Sequence, residues 1–348
     1  MKKRLSYIAS AAALVLACLI LFTGCASGIK PIKSTEEEAR VIGTIAGRDV
    51  RYEELRYLTL NFKNELETAY GEKIWDDPAK AEKYRAELED LVWNQIVSDY
   101  YAVIAMADYF YTGGGAEGMF GAEAIQSAVQ AEVDKQAEEC GGGKKNYAAG
   151  LREINMTDWL FRFYLTAEEC AQELFYIIYD DLEMIDGSDA AIESYMHSDK
   201  FLRTNHIYLE GRTEENRALA EKLQKQLAGS PDPANEIILL KGRYCADYTM
   251  TTTHGAYYAR STSDYGTSYE NAAFALKVGE VSGVVEALSG YYVILRLPVE
   301  DSYLKENFED FKSDILWSEF NLKLAEYKDK LSLELNEYGK SIDLLEIR

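Results

Sequence analysis

The sequence predicts an α+β protein, helical through much of its first half and carrying a small α/β unit in its second. Two stretches support this. Between Pro78 and Gly113, the residues Leu88, Val92, Ile96, Tyr100, Val103, Ala107 and Phe110 recur every three or four positions, an apolar stripe broad enough to be buried along one long helix. Between Tyr269 and Arg296 the pattern changes quickly. Ala272, Ala273, Phe274 and Leu276 form a short apolar helical turn, and Gly279 stops it. Val281, Val284 and Val285 follow in extended form, and Ser289-Gly290 turns into the run from Tyr291 to Leu297. That run is β-branched and aromatic, the composition of a buried strand.

Taken in order, the chain opens on Lys2, Lys3 and Arg4, an apolar stretch from Ile8 to Phe22, and Thr23-Gly24-Cys25. A charged start, an apolar middle and a small-residue junction make residues 1–24 a signal peptide. The cysteine after the junction makes it look like a bacterial lipoprotein signal, with Cys25 as the lipidated residue, although Phe22 replaces the usual leucine. The other reading is an uncleaved anchor. Both place the rest of the chain on the extracytoplasmic face of a membrane. Residues 25–40 are polar and read as a flexible tether.

Of 37 basic residues, three fall in the signal, which leaves 34 against 59 acidic ones, a mature charge of −25. Such a chain does not bind nucleic acid through phosphate contacts. Cys140, Cys170 and Cys245 are an odd set with no close pair, and His197, His206 and His254 have no ligand-like spacing. No metal and no cofactor are expected.

Val41 to Val50 alternates around a Gly47-Arg48 turn, two short strands. A helix follows with Leu55, Leu58, Phe62 and Leu66 on one face. After the long striped helix, Gly113, Gly114 and Gly115 act as a stop. A polar helix spans 123–139, a short one 147–154, and Thr157 caps another through Tyr179. Trp93, Tyr100, Tyr101, Trp159 and Phe163 are core residues or the lining of a client groove. Residues 181–198 read as a connector. A strand over 201–210, a helix over 213–228 with Ala218, Ala220, Leu223 and Leu227 inward, a helix over 234–241 and a strand from Ala256 complete the approach to Tyr269. Asp301 or Ser302 caps a last helix with Phe308, Phe311, Ile315 and Leu322 on one face. The alternating end, residues 341–348, reads as a strand.

The stretch AAFAL, GEVS and SGYYVIL resembles the C-terminal half of the parvulin (PpiC) family of peptidyl-prolyl isomerases, at that family's spacing. Tyr292 stands where the family has a histidine. The strand-turn-helix opening resembles the N-terminal chaperone domains of the SurA and PrsA families, with Gly47, Val50, Glu54 and Leu55 matching and Ala46 in place of an asparagine. The resemblance implies a helical chaperone domain over 41–198. A parvulin-like domain, a small antiparallel sheet flanked by helices, is inserted over 199–298. Residues 299–348 then return to the first domain, because the first and last strands of a parvulin sheet are neighbours.

The resemblance also implies the site. His206 matches the first-strand histidine, Asp247 the acidic or thiol position facing the substrate carbonyl, and Ser289 a polar residue beside the last strand. Phe274 matches a proline-pocket aromatic and Tyr265 replaces a pocket methionine. Tyr292 replaces the second histidine, and its hydroxyl could donate to His206. Read alone, His206 is a satisfied sheet histidine as readily as a catalytic one, and Ser289 a turn residue. His254, in a family glycine position, should crowd the pocket. Two functions follow from the resemblance: a membrane-anchored foldase and isomerase acting on unfolded or newly secreted polypeptides at proline-containing segments, or a non-catalytic holdase on the same scaffold. A nutrient-binding lipoprotein fits poorly.

Overall fold

The computed structural model describes residues 28–71, 73–112, 122–250 and 254–348. The signal peptide, Cys25 and the Gly113–Gly115 stop lie outside them. The chain divides into two compact units. The first comprises Met1–Asn64, Trp75–Met184 and Lys323–Arg348; the second comprises Glu65–Ile74 and Ile185–Leu322.

In the first unit, β1 (Val41–Ile45) and β2 (Arg48–Arg51) form an antiparallel hairpin. Its turn is Ala46-Gly47, with φ of 50° and 75°. Two left-handed residues in a row are what a tight two-residue hairpin demands, so the turn sits one residue earlier than the sequence suggests. Helix α1 (Tyr52–Tyr70) follows. The expected long helix is two: α2 (Pro78–Ile96) and α3 (Asp99–Thr112), separated at Val97 and Ser98. The apolar stripe passes over the break because a short interruption barely disturbs its period. The sign of the break is Ser98-Asp99, residues that favour helix starts. Then come α4 (Ala122–Glu139), α5 (Gly143–Glu153) and α6 (Asp158–Tyr176), whose cap Thr157 accepts from the Leu160 N–H. Ile177–Asp181 continues α6 as a π-helical turn. Tyr100 and Tyr101 are buried, and Tyr100 stacks on Tyr164 at 4.2 Å, which makes both core. Trp159 and Phe163 stack at 5.5 Å and are half-buried, with the Arg51 guanidinium over the Trp159 ring.

The expected tether is a clamp from residue 29 onward. Ile29 is buried. Its N–H donates to Asp134, and its carbonyl accepts from Gln130 and Arg162. The Ile32 N–H donates to Asp158, and the Ser34 hydroxyl to Glu53. Polar composition predicted flexibility; backbone groups that find buried partners override it.

The second unit opens on α7 (Asp189–Met196), capped by Ser188, within the stretch expected as connector. Next are β3 (Phe201–Glu210), α8 (Glu214–Ala228), α9 (Pro233–Tyr244), β4 (Ala256–Ala259), α10 (Thr267–Ala275), β5 (Val285–Ala287), β6 (Gly290–Leu297), α11 (Asp301–Glu306) and α12 (Phe308–Lys328). The strands form one antiparallel sheet in the order β4-β3-β6-β5, with Arg203 opposite Leu297 and Glu210 opposite Gly290. One face packs Ile207, Leu209, Val293 and Leu295 against Leu223 and Leu227 of α8 and Ile237 and Leu240 of α9. The other packs Leu202 and Ile294 against Tyr258, Tyr269 and Ala273. Ala218, expected inward, is exposed, and so is Leu322 of α12.

This unit is wider than the 199–298 span read from sequence. Phe311 of α12 meets the rings of Phe201 and Tyr257 at 5.2 and 5.4 Å, and Lys312 pairs with Asp189. Those contacts hold 185–198 and 299–322 on the sheet.

Returning to the first unit, β7 (Leu333–Leu335) pairs antiparallel with β1, and α13 (Glu337–Ser341) follows. The end of the chain is a 3-10 turn at Leu344–Glu346, not the expected strand. The edge of β1 is already taken by 333–335, and Asn336 caps α13 immediately after it. Gly339 permits the fit: a Cβ there would lie 2.1 Å from the Ile42 carbonyl oxygen.

Candidate active site

Alternation along β3 sends Thr204, His206 and Tyr208 to the α10 side of the sheet. His206 is fully buried there. Its Nε2 lies 3.1 Å from Asp247 Oδ2, and its Nδ1 lies 3.1 Å from the Tyr269 hydroxyl. Asp247 stands in the loop after α9. That loop is tied to β3 by the Ala246 N–H, which donates to the Tyr208 carbonyl at 2.8 Å, and by the Tyr208 N–H, which donates to Cys245 Sγ at 3.3 Å. The Thr249 N–H and hydroxyl both donate to Asp247 Oδ1, at 2.8 and 2.6 Å.

Three tyrosine rings meet the imidazole edge-on. Tyr265, Tyr269 and Tyr292 lie at 4.7, 5.3 and 5.1 Å between ring centroids, with interplanar angles of 80°, 79° and 89°. Tyr292, opposite Tyr208 on β6, stacks on the Tyr208 ring at 4.6 Å. The Tyr208 hydroxyl in turn lies 2.8 Å from Ser289 Oγ. The result is an aromatic cup around one imidazole and one carboxylate. Tyr248, beside Asp247, is 84% exposed.

The charges in this cup are set by burial and hydrogen bonding. Burial pushes His206 below the usual imidazole range, and the Asp247 partner offsets only part of that. The bond from His206 holds Asp247 well below the carboxylate range, helped by the two Thr249 donors and opposed by desolvation. A neutral imidazole beside an ionised carboxylate is the consistent state, with Nε2–H donating to Asp247. Burial raises Tyr265, Tyr269 and Tyr292, so all three remain protonated.

His206, Asp247, Tyr265 and Tyr292 therefore come together. Tyr292 contributes a ring, while the hydroxyl on Nδ1 belongs to Tyr269. Ser289 reaches the cluster only through Tyr208. Phe274 is half-buried and one ring removed: it meets Tyr258 at 6.1 Å and lies under the Arg260 guanidinium. Tyr269 is the residue that sequence reasoning missed. The signal was its spacing, one helical turn before the buried Ala273 on the face of α10 that meets the sheet. Phe274 lies one step around from that face. Thr204, Thr249 and Tyr208 carried no signal of their own. His254 turns outward, stacked on Tyr303 at 4.5 Å and paired with Glu300, so it does not crowd the cup. Gly255 carries the close approach: a Cβ there would lie 2.2 Å from the Thr204 carbonyl oxygen. Among the described residues no group of three or more His, Cys, Asp or Glu could hold a metal ion.

An antiparallel β4-β3-β6-β5 sheet with a buried histidine on its first strand and an acid facing it defines the class. A family model described as "Rotamase: PPIC-type PPIASE domain" matches residues 201–297, and the second unit carries a domain of that family. The chain is similar to solved structures of foldases. The foldase protein PrsA of Streptococcus pneumoniae str. Canada MDR_19A is 18% identical, with 72% of this chain and 87% of that chain covered and a TM-score of 0.33. PrsA of Bacillus anthracis is 14% identical, with 65% and 94% covered and a TM-score of 0.30. A SurA-like chaperone of Campylobacter jejuni is 15% identical, with 83% and 96% covered and a TM-score of 0.25. A search of curated proteins finds no match.

Proposed function

We propose that this chain is an extracytoplasmic foldase that isomerises X-Pro bonds at the His206–Asp247 cup. One observation carries the reading: the Asp247 carboxyl hydrogen-bonded to a buried imidazole that three tyrosine rings surround, in a domain of the PPIC type. Rotation about an X-Pro bond faces a barrier of about 18–20 kcal/mol, set by amide resonance. The planar amide is charge-separated, with negative charge on its oxygen; the twisted amide is less so. An apolar cup with Asp247 near the carbonyl disfavours the planar form relative to the twisted one. Tyr265, Tyr269 and Tyr292 supply the walls, and Phe274 and Ser289 buttress them from outside. The clients are unfolded or newly secreted polypeptides.

Anchoring through lipid at Cys25 belongs to the same proposal. With Ile29 clamped, the intervening residues reach at most about 14 Å, so the first unit would sit close to the bilayer. Among the described residues no helix is long and apolar enough to cross a membrane. Cys25→Ala should abolish palmitate incorporation; label on that variant, or none on the wild type, would overturn the anchor.

A protease-coupled assay with a proline peptide tests the reaction. Acceleration above the uncatalysed rate that disappears in Asp247→Asn supports the isomerase. A wild type with no acceleration leaves the holdase reading, which the crowding of tyrosines about His206 favours. That reading would show as suppressed aggregation of a denatured client.

A further inference from the structure

The imidazole of His206 has two nitrogens and two partners, and only one partner is an acid. The other is the Tyr269 hydroxyl, 3.1 Å from Nδ1. Tyr269 is fully buried, and its hydroxyl lies 2.9 Å from Thr204 Oγ1, itself fully buried. Thr204 and His206 are two apart on β3 and share its face, while Tyr269 bridges to them from α10. The second histidine of the resembling family is absent here, and Tyr292 in its place stacks on Tyr208 instead of bonding His206.

We propose that Tyr269, backed by Thr204, is the positioning residue that fixes the His206 ring with its Nε2–H toward Asp247. The hydrogen bonds then run one way. The Tyr269 hydroxyl donates to Nδ1 and Nε2–H donates to the Asp247 carboxylate, while the Thr204 hydroxyl, which donates to the Tyr258 hydroxyl at 3.3 Å, lies 2.9 Å from the Tyr269 oxygen and holds that ring in place. A buried Nδ1 without a donor would leave an acceptor unpaired, and the ring would lose the contact that distinguishes its two faces. The charged and titratable groups facing His206 are Asp247 and Cys245 from the loop after α9, Lys241 from α9, Tyr265 and Tyr269 from α10 and the segment before it, and Tyr292 from β6. Asp247 is the one that Nε2–H meets directly.

This rests on the isomerase reading for its consequence but not for its test. The chain has only three histidines, so nitrogen-15 labelling of histidine in the full chain gives three imidazoles to assign. In the wild type at pH 7, His206 should be neutral, protonated at Nε2, with Nδ1 shifted as an acceptor of a hydrogen bond. In Tyr269→Phe the Nδ1 resonance should move to the position of an unbonded nitrogen. In Thr204→Val it should move part of the way. Proline-peptide kcat/KM should fall about tenfold in Tyr269→Phe with KM unchanged. A wild-type His206 protonated at Nδ1, or doubly protonated, overturns the proposal even if no variant folds. So does an Nδ1 signal that Tyr269→Phe and Thr204→Val leave in place. If the nitrogen spectra behave as stated and no peptide is turned over, the positioning role stands and the isomerase reading falls.

Discussion

Glu54 in the first unit and Asp247 in the second are both carboxylic side chains drawn out of water, and they end in opposite charge states. Glu54 is fully buried, with the Tyr101 hydroxyl donating at 2.7 Å, while its Oε1 finds no partner among the described residues. Burial pushes it up to about 8, and Glu53 beside it adds to the effect. Asp247 keeps 14% of its side chain exposed and accepts from His206 and twice from Thr249. Its pKa is driven down. Burial alone does not decide the charge of a carboxyl. The number of donors aimed at it does, because each donor stabilises the anion and a lone hydroxyl cannot offset full desolvation. The first unit thus holds a neutral acid as a core group, and the second holds an anion at the proposed site.

The largest expected effect breaks this comparison through pH. A carboxyl whose folded pKa lies above its unfolded value takes up a proton on folding. Its contribution is full below about 4.5 and is lost as pH rises through about 8. For Glu54 the loss between those limits is on the order of 4 kcal/mol. In Glu54→Gln that loss disappears, so the variant should gain on the wild type between pH 5 and pH 8. Urea unfolding followed by tryptophan fluorescence measures it. An unchanged difference at the two pH values would show that Glu54 is ionised throughout.

Asp247 should behave with the reverse sign. Its contribution is present above the ordinary aspartate range, about 3.9, and is lost as pH falls below it. The stability gap between wild type and Asp247→Asn should therefore close on acidification. At pH 7 the same variant keeps one acceptor oxygen, replaces the other with an amide NH2 and loses the charge, and kcat/KM should drop at least about tenfold, or about 1.4 kcal/mol. Activity that survives the change would mean that the anion is structural, like the core acid it is compared with.

Smaller effects sharpen where the cup ends. Tyr265→Leu removes a wall on His206, whereas Phe274→Leu alters a ring beyond Tyr258. The second should hold kcat/KM within about threefold of wild type while the first does not. Tyr292→His, which restores the family residue, should raise activity or leave it unchanged, because Tyr292 makes no hydrogen bond to His206 that the change could break. A large loss there would place Tyr292 in the chemistry.

Much of this molecule was legible in its residues. The run from Gly290 to Leu297 formed the expected strand because β-branched and aromatic residues crowd it, and β3 was read at its observed bounds. The cap at Thr157 announced its helix through a side chain that satisfies a free N–H group, whereas Thr213, read as the first helical residue, is the cap of α8. His206, Asp247, Tyr265 and Tyr292 came from the family resemblance, and the structure places them together. Other features resisted. The break at Val97 left the apolar period nearly intact. Residues 29–34 lie in a stretch rich in charge and yet are pinned, since backbone hydrogen bonding to Asp134, Arg162 and Asp158 is invisible in composition.

By itself, then, the sequence determined what local chemistry determines: element types, turns, caps, the acidity of the chain and the residue kinds at the site. Only the tertiary structure decided which partner each buried polar group would find. Tyr269 rather than Tyr292 holds Nδ1 because α10 lays its Tyr269–Ala273 face on the sheet. Asp247 is an anion and Glu54 an acid because three donors converge on one and a single hydroxyl on the other. Charge state and hydrogen-bond direction depend on distances between residues far apart in the chain, and no local pattern encodes them.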